Sequence, residues 1–363
     1  MDSGITPLTV YGSNLSYFTG KLEMYLRARG IPYRFIPMHG RRIMPQVERA
    51  TGTTQMPAVQ LADGRWLSDT TPIIAWLETQ HAPTPMFPAN PVLKFFCLLL
   101  EDYADEWLWR PAMHFRWHYA QGAMLQSRHL ADELMHGVPL PSPVKRWYLR
   151  RRQRGTYTRG DGVTAENREQ VEGIYLQNLA WMEDILRRRP YLLGDRPCLA
   201  DIAFTGPFFR HFSQDPVPAE IMKQRAPAVF EWVARLWNDR AGSGDDALLQ
   251  DLPEDWSPWL RDIGTVYLPY LCENALAHQQ GQRRFSPTAG GVRYPRARTS
   301  AYRVWCLEQL QSHCNTLPED ALARVRDILQ AHGAWEPLWR MQTLDSGVNR
   351  GLTPPFGCSH KML

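Results

Sequence analysis

TTQMPAVQLADGRWLSDTTPIIAWLE, residues 53–78, is the stretch on which the reading of this chain turns. A polar turn ends at Met56-Pro57, and the short apolar runs PAVQL and RWL then flank Ala62-Asp63-Gly64, the composition of a hairpin turn. Pro72 falls in the first turn of the next segment, which runs through IIAWLETQ, where its missing N–H costs no ladder bond. Upstream, ITPLTVYG predicts a strand, and after Asn14 the apolar positions Leu15, Phe18, Leu22, Tyr25 and Leu26 recur at helical spacing until Gly30, a stop signal. YRFIPM reads as a second strand, and MPQVERA as a short helix ending at Thr51-Gly52. The order βαβαββα over residues 5–81 predicts a small mixed sheet with helices on its faces.

Beyond Pro83 the pattern changes. HAPTPMFPANP is a proline-rich linker, and strand-like alternation largely disappears after it. Residues 91–119 form a long apolar and aromatic helical stretch, with a bend expected at Pro111 because proline removes a ladder bond. Helical patterning resumes at 166–188, 199–212 and 228–237, and three further helical candidates lie between 247 and 340, YRVWCLEQLQSHC being the clearest. AGSGDD marks a boundary, and the last twenty residues look irregular.

At 363 residues the chain exceeds what one hydrophobic core organises, so two or three domains are expected. Hydrophobic content of 44% and 14 Trp place it among globular proteins rather than disordered ones. The longest apolar run, Phe95 to Leu100, is far short of a membrane span, and six Cys without CxxC or metal spacing fit reduced thiols. A soluble, cytoplasmic protein is the expectation.

The βαβαββα unit, the proline-containing linker and the helical remainder together resemble the glutathione transferase superfamily. LSYFTGKLEMYLRARGIPY (15–33) looks like the segment that begins with that family's catalytic Ser, Cys or Tyr. QMPAV is similar to its cis-proline hallmark, LSDTTPIIAWLE to the acidic-hydroxyl pair that holds glutathione, and YLLGDRPCLADIAF (191–204) to the capping segment of its helical domain. The resemblance implies a thioredoxin-like glutathione-binding domain at 1–82, a linker at 83–90, and an all-α transferase domain at 91–240. The latter carries a basic insertion at 137–165, and a helical C-terminal extension at 241–363 follows. Two features depart from the family pattern. Cys198 stands where a capping Ser or Thr is usual, which shifts the capping box onto Asp201, and the insertion and the extension have no counterpart in the minimal fold.

The chemical problem posed by such a fold is activation of a thiol whose free pKa is about 8.5. Lowering it by about two units requires roughly 2.7 kcal/mol of preferential thiolate stabilisation. One hydrogen bond to the charged sulfur contributes about 1.5–3 kcal/mol and a helix N-terminus about 0.3–1 kcal/mol, so a single hydroxyl at the start of the first helix is enough. Ser16 matches that position, before Tyr17-Phe18; Tyr11, at the end of the first strand, is the alternative donor, with Tyr17 behind it. The resemblance implies that Phe18 lies in the glutathione site and that Met56, turned by a cis bond to Pro57, pairs its backbone with the cysteinyl unit. It further implies that Thr70 and the N-terminus of its helix take the γ-glutamyl carboxylate, while Asp69 accepts the ammonium. Each hydroxyl and carboxyl of 68–71 also suits a simple helix cap.

An apolar, electrophilic or peroxidic small-molecule substrate is expected between the domains, against Trp107, Trp109, Met113, His114 and Trp117, side chains that serve a helical core equally well. His39, Arg41 and Arg42 offer cations for the glycine carboxylate but fit a solvated turn as well, and Lys21 reads as a surface position. No metal is expected: His114 and His118 lack acidic or Cys companions, and the Glu133–His136 and Glu78–His81 spacings do not form a matched pair on facing helices. KRWYLRRRQRGTYTR (145–159) interleaves cations with aromatics. It is read as a solvated loop, with neither nucleic acid nor membrane as partner. A homodimer is implied by the resemblance alone.

Overall fold

A computed structural model of the chain describes residues 5–80, 86–238 and 248–357. The first unit runs β1 (Leu8–Gly12), α1 (Tyr17–Ala28), β2 (Tyr33–Pro37), α2 (Ile43–Thr51), β3 (Ala58–Gln60), β4 (Trp66–Ser68) and α3 (Thr70–Gln80). This is the order expected from the sequence. The sheet has the order β2-β1-β3-β4: β1 pairs in parallel with β2, with Leu8 opposite Tyr33, and antiparallel with β3, with Val10 opposite Val59. A parallel pair needs a crossover, which α1 supplies, whereas the β3–β4 hairpin turns tightly at Gly64 with φ of 91°. Leu8, Val10, Leu22, Tyr25, Leu26, Ile73 and Leu77 fill the core between the sheet and α1 and α3.

The helical part comprises α4 (Pro91–Glu106), α5 (Trp109–His118), α6 (Ala120–Leu134), α7 (Ser142–Gln153), α8 (Arg168–Leu186), α9 (Leu199–Pro207), α10 (Pro216–Arg225) and α11 (Pro227–Asn238). The bend in the long aromatic stretch lies at Trp107-Leu108, not at Pro111. Pro111 is the third residue of α5, where backbone N–H groups have no intrahelical acceptor to lose. Helix α9 begins with the predicted capping box, and Asp201 carries it. Its carboxylate accepts from the backbone N–H of Cys198 (3.1 Å) and Leu192 (2.9 Å) and from Trp232 Nε1 (3.0 Å). Gly206 lets α9 approach α1 closely, because a Cβ there would lie 2.4 Å from the Tyr17 ring.

The extension adds α12 (Ser257–Asp262), α13 (Leu268–Gln279), two nested antiparallel pairs in which β5 (Arg284–Phe285) and β8 (Ala297–Arg298) enclose the hairpin of β6 (Thr288–Ala289) and β7 (Val292–Arg293), then α14 (Ala301–Asn315), α15 (Glu319–Ala331) and α16 (Trp335–Trp339). It shares one continuous core with the helices before it. Buried polar ties join the two: Trp259 Nε1 donates to Asn178 Oδ1 (2.8 Å), Tyr103 to Asp262 (2.7 Å), and Arg303 pairs with both Glu106 (2.9 Å) and Asp161 (3.0 Å). The boundary expected at AGSGDD lies outside the described residues.

Candidate functional site

The turn between β1 and α1 is held from three sides. Ser16 N–H donates to Ser13 O (3.0 Å), Leu15 N–H to Ser13 Oγ (3.1 Å), and Arg116 Nη1 to Leu15 O (2.7 Å). Arg116 is itself fixed by a buried pair with Asp215 (2.8 Å), whose other oxygen takes Gln126 Nε2 (2.6 Å). Ser16 then caps α1, its Oγ accepting the Thr19 N–H at 3.3 Å. A hydroxyl that accepts through a lone pair keeps its own proton to donate, so capping leaves the Ser16 O–H available to an anionic sulfur.

Ser16 opens onto a hollow of about 290 Å³ whose walls include Phe18, Met56, Trp109, Met113 and Trp117. The Met56–Pro57 peptide is cis. Phe18 stacks on Trp109 (ring centroids 5.9 Å apart), and Tyr157 meets Trp109 edge-on (5.5 Å), which makes one side of the hollow aromatic. The alternative donor, Tyr11, does not line it: its hydroxyl donates to Gln60 Oε1 (3.1 Å) and its ring stacks on Trp66 (4.9 Å). Tyr17 lines the hollow, but its hydroxyl donates to Ala104 O (2.6 Å), and burial first, then Asp105, pushes that phenol up.

Asp69 and Thr70 are not brought into this hollow. Thr70 is buried, Ser68 N–H donates to Pro355 O (2.9 Å), and the Tyr302 hydroxyl of α14 lies 3.3 Å from both carboxylate oxygens of Asp69. Burial, followed by the nearby Glu101, raises the Asp69 carboxyl to about 7. Lys21, expected on the surface, is fully buried between Glu101 and Asp105, 2.5 Å from each, and Glu101 also accepts from Thr71 (2.6 Å). Two expected substrate contacts also fall elsewhere. Trp107 is buried under the Arg110 guanidinium (4.4 Å) and beside Tyr270 (5.3 Å), at the junction with the extension. His114 turns to Glu172 (2.9 Å) and stacks on His118 (4.8 Å), in a separate cleft. Trp107 lies before the bend, at the end of α4, and on α5 the His114 side chain turns to Glu172 of α8, whereas Trp109, Met113 and Trp117, spaced four apart, line the hollow.

Three contributors escaped the sequence reading. Arg116 sits within the aromatic run MHFRWHY, and a lone cation in such a run signals a buried ion pair. Tyr302 carried no local signal. The basic insertion is α7, not a solvated loop: it packs on α6, and Arg152, Gln153 and Tyr157 complete the wall of the hollow. His39 and Arg41 bond to Glu133 O (2.7 Å) and Gly137 O (3.2 Å), joining the β2–α2 turn to the end of α6.

The fold is thus a thioredoxin-like unit followed by a helical domain, with a hydroxyl-bearing N-cap facing a cis-proline turn. The glutathione S-transferase N-terminal domain family matches residues 10–85 and the glutathione S-transferase C-terminal domain family matches residues 165–235, so the chain belongs to the glutathione S-transferase superfamily. Similar solved structures include a beta-etherase from Sphingobium sp. strain SYK-6, at 18% identity over 63% of this chain and 94% of the other, with a TM-score of 0.44. A glutathione S-transferase from Methylobacterium radiotolerans in complex with glutathione sulfonate is 19% identical over 67% of this chain and 99% of the other, with a TM-score of 0.38. Gtt2 from Saccharomyces cerevisiae is 16% identical over 63% of this chain and 93% of the other, with a TM-score of 0.39. No curated protein matches the chain significantly. Membership of the family supports a function of the glutathione-transferase type.

Proposed function

We propose that the chain is a glutathione transferase in which the Ser16 hydroxyl donates to the sulfur of bound glutathione, lowers its pKa, and delivers the thiolate to an apolar electrophile or peroxide against Trp109, Met113 and Trp117. The observation that carries this reading is the juxtaposition of Ser16 and Met56 across one hollow with an aromatic wall. In the proposed reaction with an electrophile, the sulfur forms a bond to the electrophilic carbon as the leaving group departs with the bonding pair, and the thiol proton passes to solvent. Ser16 keeps its own proton throughout, because it acts as a donor and not as a base.

The covered state of Asp69 and Thr70 favours a second reading, a protein of the same fold that carries a ligand without transfer chemistry. Calorimetric titration with glutathione, combined with the ultraviolet absorbance of the bound thiolate across pH, separates the two. The transferase reading expects binding and a bound thiol about two pH units more acidic than the free one in the parent protein, a shift largely lost in Ser16→Ala. Absence of binding at millimolar glutathione would assign the carrier.

A further inference from the structure

The insertion that the sequence presents as a solvated charge run folds as an amphipathic helix with its apolar side turned outward. On α7, Val144, Trp147, Tyr148 and Arg151 recur at i, i+3, i+4 and i+7 and share one face, while Leu149 and Gln153, on the opposite face, are buried. The outward side chains are large: Trp147 is 56% exposed, Tyr148 49% and Val144 44%, with Leu140 just before the helix at 47%. Between Ser142 and Arg154 stand six cations, Lys145, Arg146, Arg150, Arg151, Arg152 and Arg154, and no carboxylate. The partners they make are uncharged: Lys145 donates to Met135 O, Arg150 to Ser127 Oγ and Arg154 to Trp117 O, and Arg151 lies over the Trp147 ring. Their positive charge is therefore uncompensated within the segment.

From this juxtaposition we infer that α7 docks the protein on the surface of an anionic lipid bilayer. A stripe of Val144, Trp147 and Tyr148, with Arg151 among them and further cations on both sides, suits the boundary between acyl chains and headgroups. There Trp and Tyr rings sit at headgroup depth while Lys and Arg reach outward to lipid phosphates. Nucleic acid suits the face less well, because Leu140 and Val144 offer nothing to phosphates or to base edges and the helix face is convex. The helix lies on the surface rather than spanning, since none among the described residues is long and apolar enough to cross a membrane. Arg152 and Gln153 on the same helix, with Tyr157 just after it, line the Ser16 hollow. Docking therefore holds the Ser16 hollow one helix diameter, about 10 Å, from the bilayer, where apolar electrophiles concentrate; this last consequence rests on the function proposed above.

The test is co-sedimentation of the full chain with vesicles of phosphatidylcholine containing about one-third phosphatidylglycerol, against pure phosphatidylcholine, at low and high salt. The expected result is binding to the anionic vesicles at least about tenfold tighter than to the neutral ones, weakened by salt. It is lowered at least about tenfold in the Trp147→Ser/Tyr148→Ser double variant and reduced in Arg151→Glu, with the helical circular dichroism unchanged. No binding to anionic vesicles overturns the inference, as does binding that the double variant leaves intact. Salt-sensitive binding of an RNA duplex without vesicle binding reassigns the face to nucleic acid. A self-association that the double variant abolishes, again without vesicle binding, reassigns it to a second copy of the chain. Should a variant lose its helical signal, quenching of the parent protein's tryptophan fluorescence by brominated anionic lipid decides instead, because Trp147 is the exposed tryptophan among the described residues; absence of quenching overturns the inference. Glutathione is absent from the assay, so its failure leaves the reading of Ser16 untouched.

Discussion

The hollow beside Ser16 and the ground around Asp69 belong to the same first domain, yet one is open and the other is covered by a helix from far along the chain. At Ser16 the neighbouring helices contribute a scaffold: Arg116 grips the turn from behind, and α5 and α7 stand back to leave about 290 Å³. At Asp69 the extension supplies a lid: Tyr302 reaches the carboxylate and Pro355 takes the Ser68 N–H. The difference teaches that an appended segment can leave one end of the proposed glutathione site, at Ser16, accessible while covering the other, at Asp69. Whether Tyr302 merely covers Asp69 or competes with a ligand for it is the point that experiment can sharpen.

The largest effect is expected at the covered side. Lys21→Met leaves Glu101 and Asp105 buried without their cation, which should destabilise the fold by about 3–5 kcal/mol in urea unfolding. A loss below about 1 kcal/mol would mean that water already reaches those carboxylates. At the open side, Ser16→Ala should lower kcat/KM with a generic electrophile by about 10- to 150-fold, the worth of one hydrogen bond to a thiolate. Its cost in stability should stay near about 1 kcal/mol, the value of a lost helix cap. Unchanged turnover with that same loss of stability would reduce Ser16 to a cap.

A smaller effect concerns pH. The folded chain holds the Asp69 proton more tightly than the unfolded chain, whose carboxyl titrates near about 3.9. The stability this contributes is full below that value and is lost as pH rises through about 7. Because residue 69 remains partly accessible, a total on the order of 1–2 kcal/mol is expected across that range. Asp69→Asn should flatten this part of the profile, and a profile identical to that of the parent protein would remove Asp69 from the account. The smallest effect is expected from Tyr302→Phe. If the hydroxyl competes with glutathione for Asp69, its removal should tighten glutathione binding about two- to tenfold by calorimetry, in line with one net hydrogen bond. Weaker binding would instead make Tyr302 part of the ligand site.

The sequence by itself determined the βαβαββα order, the helical remainder and the position of Ser16 at the head of α1. Each of these is written in local signals: a period of two or of 3.6, a Gly at a helix end, a hydroxyl before a helical stripe. The cis-proline turn and the Asp201 capping box were legible through the resemblance of QMPAV and YLLGDRPCLADIAF to motifs of the glutathione transferase family. The contacts that set the site apart were not. Tyr302 and Asp69 are 233 positions apart, Arg116 and Leu15 are 101 apart, and Lys21 and Glu101 are 80 apart. Only the tertiary structure decided which face of the aromatic stretch looks into the hollow, that Lys21 is buried, and that the basic run is a helix with its apolar side outward. Patterns along a chain report which side chains share a face. What that face meets depends on packing between distant segments, which no local period encodes.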